Sequence, residues 1–177
     1  MTLKTTICGL AAIAFLSAPA ICAAQQLPGP GPEHEKLKEM VGTWDAEMIA
    51  EGAPPSKGTM TFRMALGGMW LESDFKGDFA GQKFTGRGLD SYDAIHNEYT
   101  SVWVDSMTGY PTVFRGNYDD SGKVLTMHAE SVDPTGQPLK MKSVSTTIDA
   151  DHMNFKMYMV AGGEDVEIMT MKYTRKK

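Results

Sequence analysis

From Gly42 onward the chain repeats one device: a short run in which apolar and polar residues alternate, closed by a cluster of turn-forming residues. In "KGTMTFRMAL" Met60, Phe62, Met64 and Leu66 alternate with Thr59, Thr61 and Arg63. In "HMNFKMYMV" Met153, Phe155, Met157 and Met159 alternate with Asn154, Lys156 and Tyr158. In "EDVEIMTMKYT" Val166, Ile168, Thr170 and Lys172 alternate with Glu167, Met169, Met171 and Tyr173. A period of two sends successive side chains to opposite sides of an extended backbone, so these runs are strands. Clusters such as "EGAPPSKG", "GDFAGQ", "DDSGK" and "AGGED" separate them, recurring every ten to fifteen residues or so, which predicts an all-β protein of about ten strands. Short turns make neighbours antiparallel, and closing the meander into a barrel removes the free edges that an open sheet would expose. One helix is expected: "EHEKLKEM" follows Pro32, carries its acids early and its lysines late, and brings Leu37, Met40 and Val41 to one face.

Residues 1–24 carry a single charge, Lys4, then the apolar run "ICGLAAIAFL" and the small residues Ala18, Ala20, Ala23 and Ala24. That is the layout of a secretory signal peptide cleaved after Ala24. The apolar run is too short for a membrane span, which needs about 20 residues. The expected location is periplasmic or secreted, with no membrane span after cleavage. "QQLPGPGP", residues 25–32, is a flexible Pro/Gly linker, and 33–177 form the barrel domain. Both cysteines, Cys8 and Cys22, leave with the leader, so the mature chain has neither disulfides nor a thiol nucleophile. Losing Lys4 from 17 Lys and Arg against 22 acids takes the net charge from −5 to −6. An acidic chain without a basic cluster argues against nucleic acid as a partner.

"LKEMVGTWDAEM" places the helix before Gly42-Thr43-Trp44, and "MKYTR" places Arg175 at the end of the last strand. Together with the meander this resembles the calycin superfamily, which includes the lipocalins. The resemblance implies that Trp44 plugs one end of the barrel beneath the Arg175 side chain, an arrangement that stacking of a guanidinium on an indole face favours. A further resemblance covers nearly all of the mature chain. "HEKLKEMVGTW", "LGGMWLESDFKG", "FTGRGLDSYDAIHNEYTSVWVDSMTG" and "MKYTR" are similar to a bacterial family known only as a domain of unknown function, numbered fifteen seventy-nine. It implies a lipocalin-like barrel and no activity.

Function has to come from the faces of two strands. Tyr99, Ser101, Trp103 and Asp105 share one face of their strand, and Thr100, Val102 and Val104 the other. Trp70, Glu72 and Asp74 likewise oppose Met69, Leu71, Ser73 and Phe75. If the tryptophan faces point inward they make an aromatic pocket with a few fixed polar groups, as ligand sites usually are. If they point outward they are cross-strand surface pairs. Glu72 and Asp74 are assigned to the outer surface, and Asp105 and Ser106 to a pocket rim. The candidate ligand-binding residues are Trp70, Tyr99, Trp103, Asp105, Ser106 and His128.

The chain has 14 methionines, 13 of them after Met1. Met fills irregular cores and makes adaptable binding walls. Thioethers also bind Cu(I), but no Met-x-x-Met or Met/His cluster accompanies them, and no metal or cofactor is assigned. His34, expected to be solvated on the helix, His96 in a turn, His128 and His152 are scattered; His128 or His152 would be the axial ligand if the barrel held haem. No nucleophile elbow, metalloprotease helix or phosphate loop is present. The expected function is therefore noncatalytic binding or carriage of a small apolar molecule. The alternatives are a hydrolase or isomerase using Asp105 or Glu72 as base, with Arg63, Arg87 and Arg115 nearby, or a packed structural barrel.

Overall fold

The computed structural model describes residues 29–50, 52–133 and 135–177. The leader assigned to residues 1–24 and the first part of the linker, 25–28, lie outside them. After helix α1 (Pro32–Lys38) come ten strands: β1 (Gly42–Ala50), β2 (Ser56–Ala65), β3 (Trp70–Phe79), β4 (Gln82–Asp93), β5 (Glu98–Asp105), β6 (Thr112–Tyr118), β7 (Val124–Val132), β8 (Pro138–Thr147), β9 (His152–Ala161) and β10 (Glu164–Arg175). Each strand pairs antiparallel with the next, and β1 pairs with β10 to close the barrel. The all-β meander that the alternation predicts is therefore the observed fold.

Alternation decides which side chains fill the barrel. Trp44, Ala46 and Met48 of β1 are buried, while Asp45, Glu47 and Ile49 between them are exposed. Met60 and Phe62 of β2, Leu71, Ser73 and Phe75 of β3, and Met171 and Tyr173 of β10 continue the inner face. A register shift between Glu167 and Met169 bends β10, and it moves Met169 rather than Ile168 onto the inner face with Met171.

Helix α1 packs against β3 and β4 at the end of the barrel where β1 starts. Pro32 sits in its first turn, Glu33 and Glu35 lie at its positive end, and Lys36 and Lys38 at its negative end. Leu37 is buried as the helical periodicity predicts, and Met40 packs on the core. Val41 does not join them: it lies past the helix and is 38% exposed. His34 corrects the expectation of a solvated helix histidine, since it is only 5% exposed. Its Nδ1 accepts the Gly31 N–H at 3.0 Å and caps the helix, which turns the ring down toward the barrel.

Trp44 and Arg175 are register partners on β1 and β10. The Arg175 guanidinium carbon lies 4.0 Å from the Trp44 ring centroid. Its three nitrogens donate to the carbonyls of Val41 at 2.6 Å, Glu39 at 2.8 Å and Ala150 at 2.8 Å. The indole N–H donates to the Met40 carbonyl at 2.9 Å. One arginine thus ties the helix C-terminus, the start of β1 and the turn before β9 to a single ring.

Candidate functional site

The end of β5 is organised by its two polar residues. Asp105 Oδ1 accepts the backbone N–H groups of Met107 at 2.8 Å and Thr108 at 2.9 Å, so the carboxylate folds the following turn. Its Oδ2 accepts the Trp103 indole N–H at 3.1 Å. Ser106 extends the ladder: its N–H donates to the Thr85 carbonyl at 2.9 Å, and its hydroxyl accepts the Thr85 N–H at 3.2 Å. Both residues line a shallow crevice of about 370 Å³ on the wall formed by β3, β4 and β5. Asp74 in that crevice is held by Arg87 at 3.2 Å and Lys76 at 3.5 Å, so the crevice presents charges that already have partners.

Facing is fixed by two glycines. A Cβ on Gly86 would lie 2.1 Å from the Trp103 ring, and one on Gly88 would lie 2.3 Å from the Ser73 hydroxyl. Trp103 therefore lies across the inner face of β4, and Tyr99, Ser101 and Asp105 point inward with it. Trp70, Glu72 and Asp74 face outward. Trp70 is half-buried on the outer wall, away from Trp103. His128 is exposed on the outer face of β7 and His152 is exposed at the start of β9. The structure thus brings Tyr99 and Trp103 together inside and Asp105 to the rim, and leaves Trp70 and His128 outside. With them goes the axial-histidine arrangement for haem.

Of the two carboxylates considered as bases, Asp105 holds the turn after β5 and the Trp103 indole, and Glu72 belongs to an outer-face ion pair. Glu72 is bound by Arg63 at 2.7 Å, and Glu98 by Arg115 at 3.4 Å. Exposed pairs of this kind contribute little. Among the described residues no group of three or more His, Cys, Asp or Glu is placed to hold a metal ion. The methionines line the barrel: Met48 is opposite Met171, Met169 opposite Met157 and Met141 opposite Met159, so one wall from β1 through β10 and β9 to β8 is largely thioether.

Opposite that wall stands a second inward-facing carboxylate, Asp90, deeper in the barrel than Asp105 at the rim. It shares the face of Gly86, Gly88 and Tyr92, and lies across from Ser101 in the β4–β5 register. Burial pushes its carboxyl up from 3.8 to about 6, opposed by the nearby Ser101 hydroxyl. Asp90 is enclosed by protein yet keeps part of its surface accessible. Ser101, Trp103, Ser145, Phe155 and Met157 also face inward and are only half-buried. Inward-facing side chains that keep accessible surface are not packed to the density of a closed interior.

Aromatic rings lead from Asp90 to the helix. Tyr92 and Tyr118 each approach Tyr99 edge-on, with centroids 5.1 Å apart, and His34 meets Tyr92 at 6.4 Å. The Tyr99 hydroxyl donates to the Glu33 carbonyl at 3.3 Å, and burial raises its pKa to about 12. The Tyr118 phenol is raised by burial first, and further by the nearby charges of Tyr99, Glu39 and Asp90. His34 Nε2 is buried without a partner. A second crevice, of about 320 Å³, opens between α1 and the barrel end, with Trp44, Tyr118 and Met153 on its floor and Lys36, Glu39, Asp149 and Arg175 at its edge.

The family described as "Protein of unknown function (DUF1579)" matches residues 29–175. The chain belongs to that family. Its barrel is lipocalin-like. The crystal structure of Rv2717c from M. tuberculosis superposes with a TM-score of 0.62 at 14% identity, over 83% of this chain and 99% of that one. The S-type phycobiliprotein lyase CPES from Guillardia theta superposes with a TM-score of 0.50 at 9% identity, over 82% of this chain and 93% of that one. At such identities the likeness is one of fold. No curated protein matches the chain.

Sequence reasoning passed over Asp90 and placed His34 in solvent. Asp90 sits in "GRGLDSYD", where the glycines draw the eye and the acid looks like one more surface charge. Its parity with Gly86, Gly88 and Tyr92 is visible, but only Trp103 lying over Gly86 shows that this parity is inward.

Proposed function

We propose that this protein binds and carries a small, mostly apolar molecule inside the barrel, without chemical transformation. The observation that carries this reading is the set of inward-facing, half-buried side chains, from Trp103 on one wall to Phe155 and Met157 on the other. A fully packed barrel would bury them all, because protein interiors leave few voids larger than a water. Met supplies a wall that adapts to different shapes, and Asp90 with Ser101 supplies the few fixed polar groups of a ligand site. Residues 1–24 support export, which puts the site in the periplasm or outside the cell.

The test is native mass spectrometry of protein purified from its own host, with extraction of whatever is retained, alongside tryptophan fluorescence titrations with lipophilic compounds. A retained apolar molecule, or a saturable change of Trp103 fluorescence, is the expected result. Absence of both ends this reading. Its rival is an enzyme in which Asp90 acts as general base, and the raised Asp90 carboxyl favours it, because a base with a pKa near neutrality suits proton abstraction. Turnover of an extracted ligand by the wild type, abolished in Asp90→Asn, would decide for the rival.

A further inference from the structure

Asp90 is a carboxylate without a cation. Among the described residues no Lys, Arg or His nitrogen lies within 4.0 Å of it, whereas Glu72, Asp74, Glu98 and Glu167 on the outer face all have cationic partners. Buried acids are almost always paired, since an isolated buried charge is expensive. Ser101 stands across from it in the β4–β5 ladder. The neighbours of Asp90 on the inner wall are the buried Leu71 across β3, Gly88 before it on β4 and Ser101 across β5. Tyr92 follows Asp90 on the same face of β4 and packs edge-on to Tyr99, and the Tyr118 phenol is close enough to feel its charge. A lone carboxylate beside tyrosine rings has the two elements that recognise an ammonium group: an opposite charge and aromatic faces.

We propose that the barrel takes an amphiphilic amine, its ammonium group paired with Asp90 and Ser101 beside Tyr92 and Tyr118, and its apolar body against the methionine wall of Met48, Met157 and Met169. This rests on the carriage reading and narrows it to a ligand class. At neutral pH Asp90 is ionised and ready to pair, because its pKa of about 6 lies below 7.

Three probes with the same chain separate the possibilities: decylamine, decanol and decanoate, each titrated into the full-length mature protein at pH 7.5 by calorimetry. Decylamine is expected to bind about tenfold more tightly than decanol, which corresponds to a single buried pairing of modest strength, and decanoate more weakly than either. Asp90→Asn is expected to abolish the amine preference, so that decylamine binds no more tightly than decanol. General attraction of a cation to an acidic protein survives in that variant, so loss of the preference isolates the inner pairing. Equal binding of decylamine and decanol, or an amine preference that persists in Asp90→Asn, overturns the amine assignment and leaves carriage standing. Failure of all three probes to bind removes carriage and the amine assignment together. Should Asp90→Asn not fold, Ser101→Ala serves in its place, expected to weaken decylamine binding but not decanol binding; equal weakening of both counts against the proposal.

Discussion

The guanidinium of Arg175 lies over the indole of Trp44, 4.0 Å from its centre, and the two residues are also register partners across the β1–β10 seam. The seam that closes the barrel and the cation–π pair at its end are therefore one contact. Trp44→Ala is expected to cost about 3–5 kcal/mol, the range for truncating a buried aromatic ring. Arg175→Lys keeps the charge but loses the planar fork that reaches three carbonyls, and should cost about 1.5–3 kcal/mol. Urea denaturation measures both; a near-neutral Trp44→Ala would show that the ring is not a plug.

Asp90 makes stability depend on pH with an unusual sign. Its carboxyl is raised from 3.8 to about 6 in the folded chain, chiefly by burial. Below about pH 4 both folded and unfolded chains hold the proton and burial carries no penalty. Between the two values the unfolded chain ionises first, so stability falls as pH rises; above about 6 the loss is constant, at about 3 kcal/mol. Asp90→Asn should abolish this slope, leaving the variant more stable than wild type at pH 8 and no different at pH 3. Denaturation midpoints measured from pH 3 to 8 check it, and parallel profiles for the two proteins would contradict it.

Gly86 is required because Trp103 occupies the place of its side chain. Gly86→Ala puts a methyl group 2.1 Å from ring atoms that are rigid. The ring must tilt or the strands must part, at about 1–3 kcal/mol for an overpacked site. A shift of the Trp103 emission maximum together with a lower midpoint is the expected signature. Unchanged fluorescence would mean that the ring does not cross β4.

Asp105 is expected to act on the turn rather than on a ligand. Asp105→Ala removes the acceptor of two backbone N–H groups and of the Trp103 indole, and should cost about 1–3 kcal/mol. Asp105→Asn keeps a carbonyl oxygen for the turn and should recover much of that. Affinity for decanol should be the same in all three proteins; a selective loss of affinity in Asp105→Asn, with stability intact, would return Asp105 to the ligand site.

The fold was legible because alternation is a local property: "KGTMTFRMAL" shows its inner and outer faces without reference to any other strand. The end plug was legible for a different reason, since Trp44 and Arg175 mark the two ends of the barrel sequence and closure brings those ends together. Facing of the β5 strand was not, because both of its sides carry residues suited to a core: Tyr99 and Trp103 on one, Val102 and Val104 on the other. The answer lay in Gly86 and Gly88, one strand away, and depended on register. His34 was misplaced for a related reason. On a helix of seven residues the charged neighbours Glu33, Glu35 and Lys36 suggest solvent, and only the barrel beneath turns one side of that helix into an interior.

Closure of the barrel through Trp44 and Arg175 also sets an order on assembly. Every other strand finds its partner next to it in the chain, but β1 must wait for β10, separated from it by all the rest of the sheet. Until the last strand has been synthesised, the growing meander has a free hydrogen-bonding edge at β1 and another at whichever strand came last. A nascent chain in that condition is open to pairing with its neighbours, so the interval before β10 emerges is when this protein is most exposed to aggregation and most in need of a chaperone.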